Sequence, residues 1–145
     1  MRYEVIHGDD VARVADGLIR AAADAGDPLL GMAIVTLGGD RHLCCDEAIA
    51  AYEGDVLVGA ATIAPKGESG EDMPEVVGLF VLEKYRRQKV GRELLLRAIA
   101  RCRERRLVPL RLNILSKAAS ALVKNLSPDA LVDVQVDDKS HFSLF

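Results

Sequence analysis

A basic loop that opens an amphipathic helix is the part of the chain best suited to chemistry. An apolar run at residues 76–82 predicts a buried strand, which leads into a polar loop and then a helix beginning near Lys89. The first turn of a helix leaves backbone N–H groups unpaired, and the helix dipole makes that end positive. Gly91 lets a ligand approach the backbone closely. Positive charge is added at the same place by Arg86, Arg87, Lys89 and Arg92. The segment therefore predicts a site for a pyrophosphate or another compact polyanion.

The same basic residues would also suit a solvated helix face, because charge runs usually lie in water. The order of strand, loop and helix, together with the glycine, favours the binding site. A nucleic-acid partner is not expected, because aromatic residues make up only 4% of the chain and tryptophan is absent. No base-stacking motif occurs either.

The segment resembles the acyl-CoA-binding motif of the GNAT superfamily of N-acetyltransferases. That motif has a Glu-bearing strand, a Tyr-Arg pair and a loop of the form Arg/Gln-x-x-Gly-x-Gly/Ala that opens a helix. The loop here reads Arg86-Arg-Gln-Lys-Val-Gly91, so the second glycine is present and Lys89 replaces the first. A backbone amide remains at Lys89, and the lysine can add a charged contact. A positive φ at that position would be strained.

The resemblance implies acetyl-CoA as the acyl donor and a set of residues that bind it. Leu79, Phe80 and Val81 would offer strand backbone groups to the pantetheine arm and the acetyl carbonyl, because the sheet of this family splays beside that strand. The loop and first helical turn would hold the pyrophosphate. Those residues are Arg86, Arg87, Gln88, Lys89, Val90, Gly91 and Arg92.

A second motif of the same family, Asn-x-x-Ala-x-x-Leu-Tyr, is matched in part after the next strand. Ser116 replaces the asparagine and can still hydrogen-bond the cofactor, whereas Val123 replaces the tyrosine. In many members that tyrosine protonates the departing thiolate, which valine cannot do. Two hypotheses follow. One is an N-acetyltransferase that moves an acetyl group directly to a primary amine of a small molecule or protein. The alternative is a non-catalytic acyl-CoA-binding or regulatory domain.

Glu75 is the candidate catalytic base. Acetyl transfer needs a neutral amine, and a carboxylate acting directly or through water can take its proton. Glu75 occupies the strand position where this family often carries that glutamate, and the apolar run after it could raise its pKa by partial desolvation. The alternative is that Glu75 simply ends the strand in solvent. Asn113, on the following strand, could hydrogen-bond pantetheine or substrate, or be an ordinary satisfied strand residue.

The net charge of −3 conceals a strong segregation of charge. Residues 84–106 carry ten basic and two acidic residues, and the remainder carries nine basic and twenty acidic ones. The second half of this basic stretch lies too far along the helix to reach a ligand at its start, and we expect it to be solvated charge or a partner surface. Those residues are Arg97, Arg101, Arg103, Arg105 and Arg106. The acidic remainder suits a cationic amine acceptor near Asp46, Glu47 or residues 133–138.

The cysteines predict no metal site. His42, Cys44, Cys45, Asp46 and Glu47 could each ligate a metal ion. Adjacent cysteines lack the Cys-x-x-Cys spacing of a zinc site, however, and there is no second cluster. A core or edge-strand role is therefore expected for the cysteine pair. Three cysteines are also too few, and odd in number, for a disulfide scaffold, so we expect a reducing, cytoplasmic compartment.

Composition predicts one globular domain over residues 1–145. The length fits a single domain, and a 50% hydrophobic composition excludes whole-chain disorder. No apolar run approaches a membrane span, and residues 1–4 lack the layout of a signal peptide.

The predicted element order is β-α-(unclear)-β-β-β-α-β-α-β-β. Residues 29–47 suit a strand or a short helix equally, and residues 141–145 could form a last short strand. An early hairpin and a later strand–helix–strand unit predict an α/β mixed sheet, mostly antiparallel and flanked by helices. The resemblance implies a GNAT-like fold. The apolar residues 142–145 could pair across a homodimer.

Overall fold

A six-stranded mixed sheet with helices on both faces forms the protein. The computed structural model describes residues 1–38, 44–68 and 72–142. The strands, in the order of the sheet, are β1 (Arg2–His7), β2 (Glu47–Glu53), β3 (Val56–Ala64), β4 (Glu75–Val81), β5 (Leu110–Ile114) and β6 (Val134–Asp138). The helices of the described residues are α1 (Asp10–Asp24), α2 (Leu30–Leu37), α3 (Val90–Glu104) and α4 (Lys117–Lys124). The predicted mixed sheet flanked by helices is confirmed.

The sheet changes from antiparallel to parallel at β4, and its pairing nearly stops there. β1, β2, β3 and β4 pair antiparallel with their neighbours, with α1 and α2 inserted between β1 and β2 and a tight hairpin joining β2 to β3. β4 and β5 are parallel and pair only at Glu75–Arg111 and Val76–Leu112, whereas β5 and β6 pair over five residues. The rest of β4 therefore runs away from β5, and the sheet opens between them.

A bulge in β4 accompanies this opening. The partner of Thr62 on β3 is Gly78, and the partner of the next residue, Ile63, is Val76. Val77 is therefore an extra residue on β4, and such a bulge bends and twists its strand. The Gly78 amide donates to the Thr62 hydroxyl at 3.0 Å, so a side chain satisfies this backbone donor at the bulge.

Two apolar cores hold the helices on the sheet. On one face, the buried stripe of α3, including Leu94 and Ile99, packs with Val58 and Val76. On the other face, α1 and α2 pack over β3 and β4, with Leu18 and Leu37 among the most buried side chains. Since α2 is apolar around most of its circumference, its sequence carries no clear period of either kind, which is why residues 29–37 suited a strand as well as a helix.

The chain turns after β6 instead of forming the predicted last strand. Residues Ser140–Phe142 form a 3₁₀ turn. The Asp138 carboxylate accepts the Ser140 amide at 2.9 Å, a local hydrogen bond that reverses the backbone. The expectation of a strand over residues 141–145 is therefore wrong at residues 141 and 142. The homodimer prediction rests on residues 142–145, of which 143–145 lie outside the described residues.

Arginines at the end of α3 neutralise carboxylates at the start of β2. Arg101 holds Glu47 through two hydrogen bonds of 2.8 and 2.9 Å, and Arg105 holds Asp46 at 2.6 Å and Glu47 at 3.2 Å. His7 also lies 3.0 Å from the buried Glu47 carboxylate. These ion pairs therefore connect the end of α3 to the start of β2 within the protein.

A second pair joins α3 to the turn before β6. Arg103 donates to Asp133 at 2.9 Å and to the carbonyl of Ala130 at 2.8 Å. The expectation of solvated charge or a partner surface is wrong for Arg101, Arg103 and Arg105, because each is satisfied within the chain. The same contacts engage Asp46, Glu47 and Asp133, and the expectation that Asp46, Glu47 or residues 133–138 attract a cationic amine stays a prediction.

We expect Glu47→Gln to destabilise the protein and to flatten its loss of stability in acid. Hydrogen bonds from Arg101 hold the pKa of Glu47 below its ordinary value despite the cost of burial, and the charge of Arg105 adds to this. A depressed folded pKa gives stability that is present above the unfolded pKa and is lost as the pH falls through the folded pKa. Breaking a buried ion pair costs about 3 kcal/mol.

Urea unfolding at pH 7 and at several values below pH 5 measures both effects. Asp16→Asn, on the exposed side of α1, is the matched control and should change stability by less than about 0.5 kcal/mol. Equal stability of Glu47→Gln and wild type at pH 7 would contradict the role of this ion pair.

Candidate functional site

A cleft lies where β4 and β5 diverge. It has a volume of about 50 Å³ and lies between α2 on one face of the sheet and α3 and α4 on the other. Residues 76–79 of β4 and residues 112–116 after the divergence form its walls, and Met32, Thr36 and Val123 contribute side chains from the helices. Most of this lining is aliphatic, which suits a cleft that takes the uncharged arm of a ligand.

The β4 residues beyond the divergence have no partner on β5. Pairing ends at Val76, so Leu79, Phe80 and Val81 lie on the splayed part of the strand. Leu79 lines the cleft, whereas Phe80 packs its side chain in the core under α1 and α2. The carbonyl of Val81 is already occupied, because it accepts a hydrogen bond from the Arg86 side chain at 2.9 Å.

Glu75 and Asn113 meet at the closed end of the cleft. Glu75 is only 2% exposed, so it does not end the strand in solvent. Its carboxylate accepts the Asn113 side-chain amide at 2.9 Å and the Glu68 backbone amide at 3.3 Å. Asn113 lines the cleft, and its buried side-chain oxygen has no hydrogen-bond partner among the residues that the structure describes. The pair thus places one carboxylate and one amide oxygen beside an otherwise apolar cleft.

The basic loop contains two residues in the left-handed region. Lys89, the position of the missing glycine, has φ 64°, and α3 begins at the next residue. Arg87 has φ 65°. Sequence reasoning anticipated strain at Lys89 but missed Arg87, because the motif leaves that position unrestricted. Non-glycine residues in this conformation crowd Cβ against the backbone, so the loop is strained twice within three residues.

Three basic side chains of this loop and helix start remain unpaired. Arg87, Lys89 and Arg92 make no ion pair with the described part of the chain, and all three are exposed. The side-chain amide of Gln88 donates to the backbone carbonyl of Lys84 at 3.2 Å and so joins the two ends of the loop. The exposed charges lie beside the free N–H groups of the first turn of α3, where an anion is favoured.

Gly91 and Val90 serve packing. A Cβ at Gly91 would lie 3.3 Å from the Leu122 side chain and 3.7 Å from that of Val81, so the glycine lets α3 approach α4 and β4. Val90 is buried in the core below α3. Any contact of these two residues with a ligand would therefore run through the backbone.

Arg86 points inward, away from the three exposed cations. Its guanidinium donates to Asp27 at 2.7 Å and to the Val81 carbonyl, and it lies 5.2 Å from the centre of the Phe80 ring. Burial opposes ionisation of Asp27, but hydrogen bonds from Arg86 and from the amides of Leu29 and Glu83 outweigh it and lower its pKa. Nothing in the sequence pairs residues 59 positions apart, so Asp27 was missed.

The start of α4 is capped as its sequence predicts. The Ser116 hydroxyl accepts the Ala119 amide at 3.0 Å, and both residues line the cleft. Val123 lies one turn further along the same wall and is buried, so the place of the motif tyrosine holds two methyl groups. Tyr85 does not compensate, because it is buried in the core below α3.

The cysteines show no sign of a nucleophile or a metal ligand. Burial raises the pKa of Cys45 to about 12 and that of Cys102 to about 11, which suppresses their thiolates. Burial also raises the pKa of Cys44. Within residues 1–38, 44–68 and 72–142, no three potential ligands cluster around a metal position, and His42 lies outside these ranges.

No helix among the described residues has the length and apolar content needed to cross a membrane.

Comparison with known proteins points to one family. The sequence model of the acetyltransferase (GNAT) family matches residues 18–122. No curated protein matches the chain. The fold is similar to a GNAT-family acetyltransferase from Staphylococcus aureus Mu50, with a TM-score of 0.53 and 17% identity over 85% of this chain and 79% of that one.

Two further solved structures are similar. One is an acetyltransferase of Clostridium acetobutylicum solved with acetyl-CoA, with a TM-score of 0.56 and 14% identity over 87% of this chain and 89% of that one. The other is a ribosomal-protein-alanine N-acetyltransferase of Brucella melitensis, with a TM-score of 0.52 and 20% identity over 86% and 87%. At these identities the likeness concerns the fold.

We expect Lys89→Gly to stabilise the protein by about 1 kcal/mol, because glycine adopts a positive φ without the steric cost borne by lysine. Chemical unfolding in the absence of ligand measures the change. Gln88→Gly is the matched control in the same loop. Its residue has no positive φ, so glycine there should destabilise the protein by increasing the entropy of the unfolded chain. Equal destabilisation by both substitutions would show that the loop is not strained at Lys89.

Proposed function

The chain belongs to the GNAT acetyltransferase family, and from this premise we propose that it transfers an acetyl group from acetyl-CoA directly to a primary amine. The observation that carries the proposal is the cleft between β4 and β5, because β4 leads from it straight into a loop with three unpaired cations. An apolar cleft beside a strand that leads into a cationic helix start fits a ligand with an uncharged arm and a pyrophosphate.

In this proposal the phosphates of acetyl-CoA bind at the start of α3. The side chains of Arg87, Lys89 and Arg92 supply charge, and the backbone amides of residues 88–91 supply hydrogen bonds. Arg86 contributes through its backbone and by holding the loop, since its guanidinium is already engaged by Asp27.

The pantetheine arm then lies along the splayed half of β4. Leu79 and Val81 offer backbone groups on the side of β4 that β5 does not use, and the Val81 carbonyl keeps a second lone pair beside its bond from Arg86. Phe80 pairs with Ala60 on β3, so its backbone groups face that strand. The Ser116 hydroxyl accepts a hydrogen bond at the start of α4 and still has its own hydrogen to donate to the arm.

Transfer begins when the amine nitrogen attacks the thioester carbonyl carbon. A C–N bond forms, the C–S bond breaks, and the proton lost by the amine passes to the Glu75 carboxylate directly or through water. Asn113 donates to one oxygen of Glu75 and the Glu68 backbone amide donates to the other at 3.3 Å, so the carboxylate is fixed at both oxygens and takes the proton on a remaining lone pair. Because the Val123 side chain has no acidic proton to donate, the CoA sulfur leaves as a thiolate and is protonated by water.

We treat residues 1–145 as one acetyltransferase domain. The family match stops short of both ends, but β1 pairs with β2 and β6 pairs with β5, so the flanking segments complete the same sheet.

We expect the double substitution Arg87→Glu and Lys89→Glu to weaken acetyl-CoA binding by at least about tenfold, because it replaces two cations next to the phosphates by anions. Titration calorimetry at low salt measures the affinity. Arg20→Glu on α1 is the control, since it reverses an exposed charge on an element outside the loop. Wild-type affinity in the double variant would contradict this site.

We expect Glu75→Gln to lower kcat by about 10²- to 10⁴-fold while leaving acetyl-CoA affinity unchanged, because an amide cannot accept the proton of the amine. Release of CoA thiol over a panel of primary amines measures turnover, and Glu83→Gln is the control. Undiminished turnover in Glu75→Gln would contradict its role as base. Binding of acetyl-CoA by the wild type without thiol release from any amine would favour the non-catalytic alternative.

A further inference from the structure

We propose that Asp27 is a positioning residue for the cofactor loop. It holds Arg86, so that α1 and α2 fix the position of the backbone that binds the phosphates. The inference rests on the proposed function, because the loop must bind acetyl-CoA for its position to matter. The Asp27 carboxylate therefore strengthens acetyl-CoA binding, although its negative charge alone would weaken it.

Asp27 connects two separate parts of the chain. It lies in the turn between α1 and α2, and its side chain is 1% exposed. It accepts the Leu29 amide at 2.9 Å, which opens α2, and the Glu83 amide at 3.3 Å, which begins the 3₁₀ turn after β4. With the Arg86 guanidinium it therefore has three donors, two of them on the segment that leads into the loop.

Arg86 extends this connection to the edge of the cofactor strand. One nitrogen of its guanidinium donates to Asp27 and another donates to the carbonyl of Val81, the last residue of β4. The planar fork of arginine can make both contacts at once, which the single ammonium of lysine cannot do from one position. The next residue, Arg87, is the first of the two strained positions, so the anchor sits directly before the strain.

Such an anchor explains how a loop without its first glycine keeps a left-handed shape. A residue at positive φ persists only where the surroundings over-determine it. On one side of the loop, α3 begins at Val90, which is buried. On the other side, the Asp27–Arg86 pair supplies the fixed point. Without it, the exposed segment from Arg87 to Lys89 can relax to ordinary dihedrals and turn its amides away from a ligand.

The charge of Asp27 allows a test of sign. An acid next to a polyanion site opposes binding by Coulomb repulsion, so Asp27→Asn should tighten acetyl-CoA binding if charge alone acts. We expect Asp27→Asn to weaken it by about tenfold, and Arg86→Lys to weaken it comparably although the positive charge is kept. The double variant should bind no more weakly than either single variant, because both remove the same connection.

Titration calorimetry with acetyl-CoA at 50 mM and 500 mM salt, on the full chain, measures these affinities. Glu83→Gln is the matched control, since it removes an exposed negative charge from the same turn and leaves the backbone bond to Asp27 in place. It should bind as the wild type does or more tightly. The loss in Asp27→Asn should persist at high salt, because salt screens charge effects and does not restore a lost anchor. Unchanged or tighter binding in Asp27→Asn, or unchanged binding in Arg86→Lys, overturns the inference.

Hydrogen exchange in the wild type provides a readout that does not depend on how well the variants fold. Binding of acetyl-CoA should slow exchange of the Leu29 and Glu83 amides, since both donate to Asp27. Exchange at Leu29 that does not respond to acetyl-CoA overturns the coupling. A wild type that binds no acetyl-CoA overturns the proposed function and this inference together, whereas binding with unaltered variants overturns the inference alone.

Discussion

Parallel pairing between β4 and β5 stops after two residue pairs, and the arrangement of the site depends on that interruption. A sheet that continued would bury the β4 backbone in hydrogen bonds with β5 and leave no space between the strands. Because the strands diverge, backbone groups of β4 face a cleft, and α2, α3 and α4 become its walls. The extra residue Val77 belongs to the same distortion, since it re-aims the strand where the divergence begins.

Charge in this protein is divided between two tasks along one helix. The last turns of α3 and the residues after it use arginines to hold carboxylates of β2 and of the turn before β6. These ion pairs connect α3 to the sheet and neutralise much of the charge of both signs. Within the described residues, the first turn of α3 and its loop keep Arg87, Lys89 and Arg92 free of ion pairs. The net charge of the whole chain conceals this division, and the net charge of residues 84–106 exaggerates the charge available to a ligand.

The sequence predicts the strands, the two long helices and the position of the cationic loop, because each of these is encoded in neighbouring residues. Periodicity could not assign α2, since a helix that is apolar on most sides has no polar face to mark its turns. The partner of Arg86 is equally invisible, because Asp27 reaches it only when the α1–α2 turn packs over the end of β4. Glu75 was found through its place in a motif, but its hydrogen bond to Asn113 depends on the register of β4 and β5. Local pattern thus locates the site, and tertiary packing decides which of its side chains face inward.

The absence of a side chain at Gly78 limits how the α2 wall of the cleft can change. A Cβ there would lie 2.7 Å from the backbone carbonyl of Thr36, so α2 rests on the strand at a distance that admits only hydrogen. Any larger residue at this position would lift the whole helix, and with it the wall that carries Met32 and Thr36. Exchange of side chains on α2 can therefore reshape this wall while the helix stays in place, which makes the wall a fixed frame with replaceable surface groups.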